Sequence, residues 1–292
     1  MGCSQRAAVS LIFVLSCCSV AVAVERRQTP NFACDIGFAV DFNQNHSWSL
    51  GTFKSAPYAL LFGGQWLSSA DGSLVTSRVT QGNGSDVHGD YTWLALDWRM
   101  ATAGANAQTL WTTSFQCYGK SAIVFSQRFP HGLNDIPGGP RDFQQPSSRF
   151  PSFAHSSLVD VPLITFANQN AARTLHAGLF PKGYTGGYGS GPIAFSSDAD
   201  NLAHSRVFVL SAMNSFTAAL HNIDDREQAL SFGVGGLMAR LPAGYTSKFV
   251  ATACNSQLTW RSQRYSGAAA RAFIEWGWRE QIFLTIRVLV GG

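Results

Sequence analysis

Two acidic clusters are the first candidates for catalysis or metal binding. SDADN, with Asp198, Asp200 and Asn201, could ligate a divalent cation through alternate oxygens, but it lacks the glycine and distal glutamate of a calcium loop. Such side chains usually bond their own backbone in turns. HNIDDRE, residues 221–227, is predicted to be an exposed hairpin loop. Adjacent carboxylates in water both stay ionised, so neither cluster is predicted to supply a neutral acid.

Two other segments resemble a catalytic motif and a cofactor-binding motif, but each lacks residues that its motif requires. Ser190 in GYGSGP has Tyr188 and Pro192 where a nucleophile elbow needs glycines. SFGVGGLM ends on Met238 where a dinucleotide loop needs a small residue, and no β-α-β pattern surrounds it. The remaining histidines lack metal spacing and are expected to be structural: His46, His88, His131, His155, His176 and His204. We predict no catalytic residue, cofactor or metal.

Aromatic side chains are the remaining candidates for ligand binding, because the apolar faces of sugar rings stack on Trp and Tyr. Trp66 in FGGQWL, and Tyr184 and Tyr188 in the glycine-rich loop 180–195, are candidate carbohydrate-binding residues. Glycine neighbours leave the backbone open to a ligand there. Packing in the core is the alternative for each of them.

The stretch GSDVHGDYTWLALDW, residues 84–98, predicts an aromatic strand entered through an Asn-Gly-Ser turn. Alternation sends Tyr91, Trp93 and Ala95 to one face, and Thr92, Leu94, Leu96 and Trp98 to the other. Apolar residues on both faces predict a strand covered on both sides, so Trp93 is expected in the core.

The N-terminus predicts secretion. Residues 1–23 combine Arg6, an apolar run and an Ala21-Val22-Ala23 cleavage site, as signal peptides do. Acylation at Gly2 and Cys3 is the alternative, but Arg6 stands where that signal wants Ser or Thr. Localisation is predicted to be extracellular or in the endomembrane lumen. Asn45 and Asn83 begin glycosylation sequons, which are predicted to lie in loops.

Removal of the signal would leave three cysteines, Cys34, Cys117 and Cys254. In an oxidising compartment two of them can pair, and the sequence leaves all three pairings open. None forms the CxxC spacing of a zinc site.

Composition predicts a folded β protein. The chain has 292 residues, of which 46% are hydrophobic, 12% aromatic and 13% charged. Without Arg6 it holds 20 basic and 17 acidic residues, a net charge of +3, too weak and scattered for a nucleic-acid surface. No later apolar run reaches membrane length.

Short β-rich runs separated by turn residues predict two large antiparallel sheets packed face to face. The predicted strands are 36–42, 58–62, 73–80, 91–98, 109–117, 121–129, 157–166, 174–180, 205–213, 215–221, 229–234 and 247–253. The proline-rich segment 129–153 is expected to cross between strands or over a sheet edge.

The predicted sandwich domain spans residues 24–265. SGAAARAFIEWGW, residues 266–278, predicts a helix, and a hydrophobic tail runs to residue 292. We expect that a further domain, missing here, would follow this tail; a final sheet strand is the alternative.

The chain carries two motifs of aromatic and turn residues. Asp86, Gly89 and Tyr91 form a D-x-x-G-x-Y/F turn, and an F-x-Q-x-FP-x-G segment is formed by Phe125, Gln127, Phe129, Pro130 and Gly132. These motifs resemble the N-terminal β-supersandwich of glycoside hydrolases of the α-galactosidase and raffinose-synthase kind, and the likeness runs over about residues 32–276. In that family a (β/α)₈ barrel follows the sandwich and carries two catalytic carboxylates. The resemblance therefore implies a secreted, carbohydrate-associated module without its catalytic barrel. A stand-alone carbohydrate-binding or adhesion protein is the alternative, and an enzyme with its acid and base inside the sandwich is a third.

Expression in a eukaryotic host tests the predicted compartment. The extracellular protein should have lost about 23 residues and should shift in mass on glycosidase treatment, because both sequons pass through the secretory pathway. N-terminal sequencing and mass spectrometry check this, and an intact Met1 on the extracellular protein would refute the cleavage.

Overall fold

One sheet of nine antiparallel strands dominates the computed structural model. The structure describes residues 32–104, 107–134, 146–166, 175–184, 187–188, 191–196, 206–224, 229–235 and 240–255. Across the sheet the strands are β15 (Leu175–Leu179), β14 (Pro162–Phe166), β17 (Ile193–Ser196), β18 (Arg206–Ala212), β22 (Tyr245–Asn255), β10 (Ala122–Phe129), β9 (Trp111–Tyr118), β8 (Gly89–Met100) and β7 (Leu74–Asp86). In this order β7 is an edge strand.

Four smaller antiparallel sheets complete the strand arrangement. The first contains β1 (Phe32–Cys34), β2 (Phe38–Asp41), β3 (Ser47–Leu50) and β4 (Phe53–Lys54). The second contains β13 (Ser152–Ala154), β20 (Ala229–Val234), β19 (Ala219–Asp224) and β16 (Gly187–Tyr188). The others are β12 (Ser148–Arg149) with β5 (Ala59–Phe62) and β6 (Gln65–Ser68), and β11 (Leu133–Asn134) with β21 (Arg240–Leu241). Short 3₁₀ helices span Ala101–Ala103 and His155–Ser157.

Aromatic rings fill the space between the nine-stranded sheet and the smaller sheets. Strand β9 alternates buried and half-buried residues, as a strand covered mainly on one face should. Its Phe115 lies 4.9 Å from Phe38 of β2, between ring centroids, and Trp48 of β3 lies 5.1 Å from Phe125 of β10. These contacts join the sheets through one hydrophobic core.

The fold class is confirmed as an all-β, sandwich-like arrangement of antiparallel sheets. In the segment 129–153, expected to cross between strands or over a sheet edge, residues 135–145 lie outside the described residues. Within its described part, Ser148 pairs with Leu60 in one sheet and Ser152 with Ser231 in another. The predicted helix 266–278, the hydrophobic tail and the signal peptide lie outside the described residues.

Several predicted strand boundaries were wrong. The strand expected over 157–166 begins only at Pro162, because a 3₁₀ turn occupies His155–Ser157. Of the segment 221–227, which was expected to be an exposed hairpin loop, residues 221–224 form the end of β19 and the others lie outside the described residues. His221 is 2% exposed. Strand β7 continues to Asp86, so Asn83 lies in a strand rather than in a loop.

The expectation that Trp93 of β8 lies in the core was also wrong. Leu94, Leu96 and Trp98 are buried, whereas Tyr91 and Trp93 are only half-buried on the opposite face. The indole N–H of Trp98 donates to Thr113 Oγ1 at 2.9 Å, and its ring lies 4.6 Å from Tyr58. Trp98, not Trp93, is therefore the core tryptophan of this strand.

A pair of substitutions on this strand tests the assignment. Trp98→Ala should lower the free energy of unfolding by about 3–5 kcal/mol, because it opens a cavity and leaves the Thr113 hydroxyl without its donor. Trp93→Ala should cost about 1 kcal/mol, because only part of its apolar surface is buried. Urea unfolding followed by circular dichroism measures both, and equal losses would contradict the assignment.

Candidate functional site

Three aromatic side chains lie together on the outer face of the nine-stranded sheet. Tyr91 and Trp93 point away from the core on β8, and Tyr118 does so at the end of β9. The pairing of Thr92 with Cys117 places Tyr91 opposite Tyr118, and their ring centroids are 5.3 Å apart. We call Tyr91, Trp93 and Tyr118 the outer aromatic cluster.

Glycines of the edge strand let two of these rings lie close to the backbone. Gly82 pairs with Trp93, and Gly84 pairs with Tyr91. A Cβ atom at Gly82 would lie 3.0 Å from the Trp93 indole, and one at Gly84 would lie 2.5 Å from the Tyr91 ring. Any larger residue would displace the rings, so these glycines are needed for close approach rather than for a turn.

A carboxylate is held at the rim of the outer aromatic cluster. The Tyr118 hydroxyl donates to Asp86 Oδ2 at 2.7 Å, and the His88 backbone N–H donates to Asp86 Oδ1 at 2.8 Å. The Tyr118 hydrogen bond lowers the pKa of Asp86, while burial and the bond to Asp86 raise the pKa of Tyr118. Asp86 is exposed and therefore remains an ionised acceptor with lone pairs available to a ligand.

Polar side chains continue the same face beyond the rings. Gln116 pairs with Trp93, and Ser114 pairs with Ala95, so both lie in outward positions next to the cluster. Both are half-buried. Aromatic faces beside amide, hydroxyl and carboxylate groups can stack on an apolar ring and bind its hydroxyls. The sequence did not predict that this surface binds a ligand, because its pattern is equally consistent with Tyr91 and Trp93 as core residues.

Trp66, a predicted site residue, lies on β6 after a tight turn in which Gly63 and Gly64 have positive φ. Its side chain is half-buried. The guanidinium carbon of buried Arg149 lies 4.0 Å from the centroid of the Trp66 ring. Such a cation–π contact holds the indole in one orientation.

The Tyr184 side chain points into the protein, whereas the sequence predicted that it lies on an open surface loop. Its hydroxyl donates to His221 Nδ1 at 2.9 Å, and His221 Nε2–H donates to the Gly191 carbonyl at 3.0 Å. Burial raises the pKa of Tyr184 and lowers the pKa of His221 to about 4. These two hydrogen bonds connect Tyr184 and Gly191 to His221 of β19. Tyr188 lies in β16 and pairs with Leu220 of β19. Trp66 and Tyr188 thus belong to two different small sheets, and the outer aromatic cluster belongs to the nine-stranded sheet.

A disulfide joins β1 to β9 through Cys34 and Cys117, whose Cα atoms are 6.0 Å apart. Cys254 lies in β22, where it pairs with Val207.

An open groove of about 680 Å³ lies beside the disulfide and is lined by Asp35, Asn83, Gly84, Asp90 and Thr92, among others. Asn83 is exposed there, and Asn45 is exposed in the turn between β2 and β3.

The motifs at Asp198, Asp200, Ser190 and Met238 lie outside the described residues. Within the described ranges, no group of three His, Cys, Asp or Glu side chains could hold a metal ion. None of the helices there is long and apolar enough to cross a membrane.

No family model and no curated protein matches the chain. Among solved structures, a variant of the GH36 alpha-galactosidase AgaA from Geobacillus stearothermophilus, in complex with 1-deoxygalactonojirimycin, is similar to it. The similarity covers 68% of this chain and 30% of that chain, with 14% sequence identity and a TM-score of 0.43. The chain thus spans less than a third of that protein's length. The family suggested by the motif resemblance stays a prediction.

The buried His221 predicts a pH dependence of stability. Its pKa is about 4 in the folded protein and near 6.5 when unfolded, so protonation favours the unfolded state. Stability should be complete above about pH 6.5 and fall by about 3 kcal/mol as the pH drops to 4. Urea unfolding across this range measures the slope. His221→Gln should flatten it, and exposed His131→Gln should not; an unchanged slope in His221→Gln would contradict the assignment.

Proposed function

We propose that this chain is a secreted, carbohydrate-binding β-sandwich module of a glycoside-hydrolase-like protein, and that it is non-catalytic as it stands. The observation that carries the proposal is the outer aromatic cluster, in which Tyr91, Trp93 and Tyr118 share one half-exposed face with the Asp86 carboxylate. The rings supply stacking faces for the C–H side of a sugar, and the polar rim supplies acceptors and donors for its hydroxyls.

The edge-strand glycines support a surface role for this cluster. Gly82 and Gly84 let Trp93 and Tyr91 lie against the backbone, which restricts the rotamers of both rings before any ligand arrives. A preordered ring loses less conformational entropy on binding than a free one. Trp66, held by Arg149, is a second aromatic contact for carbohydrate in this proposal.

The Cys34–Cys117 disulfide supports the secreted part of the proposal, because structural disulfides persist in oxidising compartments. The glycoside-hydrolase-like part is supported by the D-x-x-G-x-Y/F and F-x-Q-x-FP-x-G motifs. Asp86 and Gly89 close the β7–β8 hairpin, and Phe125, Gln127 and Phe129 are buried in β10. Those matching residues thus have defined structural roles.

Carbohydrate binding is tested with the purified mature chain on an array of α- and β-linked oligosaccharides, followed by calorimetry with the strongest ligand. Trp93→Ala should weaken binding at least about tenfold, equivalent to about 1.4 kcal/mol, while circular dichroism shows an intact fold. Phe216→Ala, which removes an aromatic ring that is 59% exposed elsewhere, should leave affinity unchanged. Binding that survives in Trp93→Ala and is lost in Trp66→Ala would move the site to Trp66, and no binding at all would refute the proposal.

The proposal that the chain is non-catalytic predicts that the purified mature chain does not turn over aryl glycosides or raffinose-type oligosaccharides between pH 4 and 8. Glycoside hydrolysis needs two carboxyl groups about 5–10 Å apart, one of them commonly with a raised pKa. Among the described carboxyl groups with a shifted pKa, Asp71 and Asp86 are both lowered, mainly by hydrogen bonds from Ser73 and Tyr118. Turnover that disappears on replacing Asp198, Asp200, Asp224 or Asp225 would overturn this prediction.

A further inference from the structure

Strand β7 lies at the edge of the nine-stranded sheet and carries the sequon at Asn83. An edge strand presents unpaired backbone groups to which a second chain can add, so proteins protect such edges with charges, prolines, bulges or cover. The two halves of β7 differ in this respect.

The first half of β7 has its own protection. A bulge interrupts the pairing with β8 between Thr76 and Arg78, and Arg78 forms an ion pair with Asp97 at 3.0 Å. The second half, VTQGNGS over residues 79–85, pairs with β8 without interruption. It holds no proline and no charged residue. Val79 in this stretch is 42% exposed.

The two faces of this uncharged half are different. On the outer face the rings of Trp93 and Tyr91 lie over Gly82 and Gly84. On the other face Val79, Gln81, Asn83 and Ser85 are all exposed, although Val79 and Gln81 pair with the buried Leu96 and Leu94. The strand therefore extends beyond the cover of the core on this side, where Asn83 is one of the residues that line the groove beside the disulfide.

We propose that an N-linked glycan on Asn83 shields this edge, and that the unglycosylated chain pairs through β7 with a second copy of itself. The inference rests on the secretion included in the proposed function. Antiparallel pairing of two identical strands about a two-fold axis at Gly82 aligns Val79 with Ser85 and Gln81 with Asn83 of the second copy. Asn83 lies next to the axis of this pairing, so a glycan on its exposed side chain would crowd the incoming strand.

The test compares sequon variants of the full chain secreted from a eukaryotic host. Ser85→Ala removes the sequon and keeps Asn83, and Ser47→Ala is the matched control because it removes the sequon at Asn45. Mass spectrometry gives the occupancy of each asparagine, and size-exclusion chromatography with light scattering gives the mass between 1 and 100 μM. We expect an occupied Asn83 with a monomeric wild type and Ser47→Ala, and a concentration-dependent dimer for Ser85→Ala.

A rescue variant separates edge pairing from loss of solubility in general. Gln81→Lys added to Ser85→Ala places a charge on the exposed edge, so the double variant should return to a monomer without any glycan at Asn83. A monomeric Ser85→Ala chain, or an Asn83 that stays unmodified while Asn45 is occupied, overturns this inference alone. Absence of glycan at both sites overturns it together with the proposed secretion. If Asn83 is glycosylated and Ser85→Ala dimerises, but the chain binds no sugar, only the proposed carbohydrate function is overturned.

Discussion

Burial of aromatic rings on the inner face of the nine-stranded sheet is the constraint on which the other features depend. Trp98 packs against Tyr58 and donates to Thr113, while Leu94 and Leu96 fill the same face without exposure. Because side chains alternate along a strand, this register sends Tyr91 and Trp93 to the opposite face. A slip of one residue would expose Trp98 and bury the charged side chain of Asp97, so the core determines which aromatic residues reach the surface.

The edge of the sheet links the surface to the core. Trp93 and Tyr91 extend over β7 only because Gly82 and Gly84 stand beneath them. Those glycines bracket Asn83, whose side chain lies on the other face of the same strand. A ring-covered face and a sequon-bearing face therefore follow from one alternating segment, so the proposed binding surface and the proposed protection of the edge have a common structural origin.

Polar groups inside the fold position aromatic side chains rather than reacting groups. The buried His221 ring accepts a hydrogen bond from the Tyr184 hydroxyl at Nδ1 and donates one from Nε2–H to the Gly191 carbonyl. Both ring nitrogen atoms therefore have hydrogen-bond partners. Arg149 lies beneath the Trp66 indole in a comparable way. These contacts stabilise loops and hairpins, which agrees with a module whose surface chemistry comes from rings and hydrogen bonds.

The β class and most strand positions could be predicted from the sequence, because period-two alternation and turn residues act locally. The sequence pattern did not indicate which face of β8 is buried, since both faces carry large apolar side chains, Trp93 on one and Leu94, Leu96 and Trp98 on the other. The tertiary structure set this face, through the aromatic rings that approach from the other sheets. It also decided that Cys34 lies beside Cys117, that Tyr184 turns toward His221, and that β7 continues through the glycines around Asn83 as an edge strand. Each of these depends on contacts between residues far apart in the chain, which local patterns do not encode.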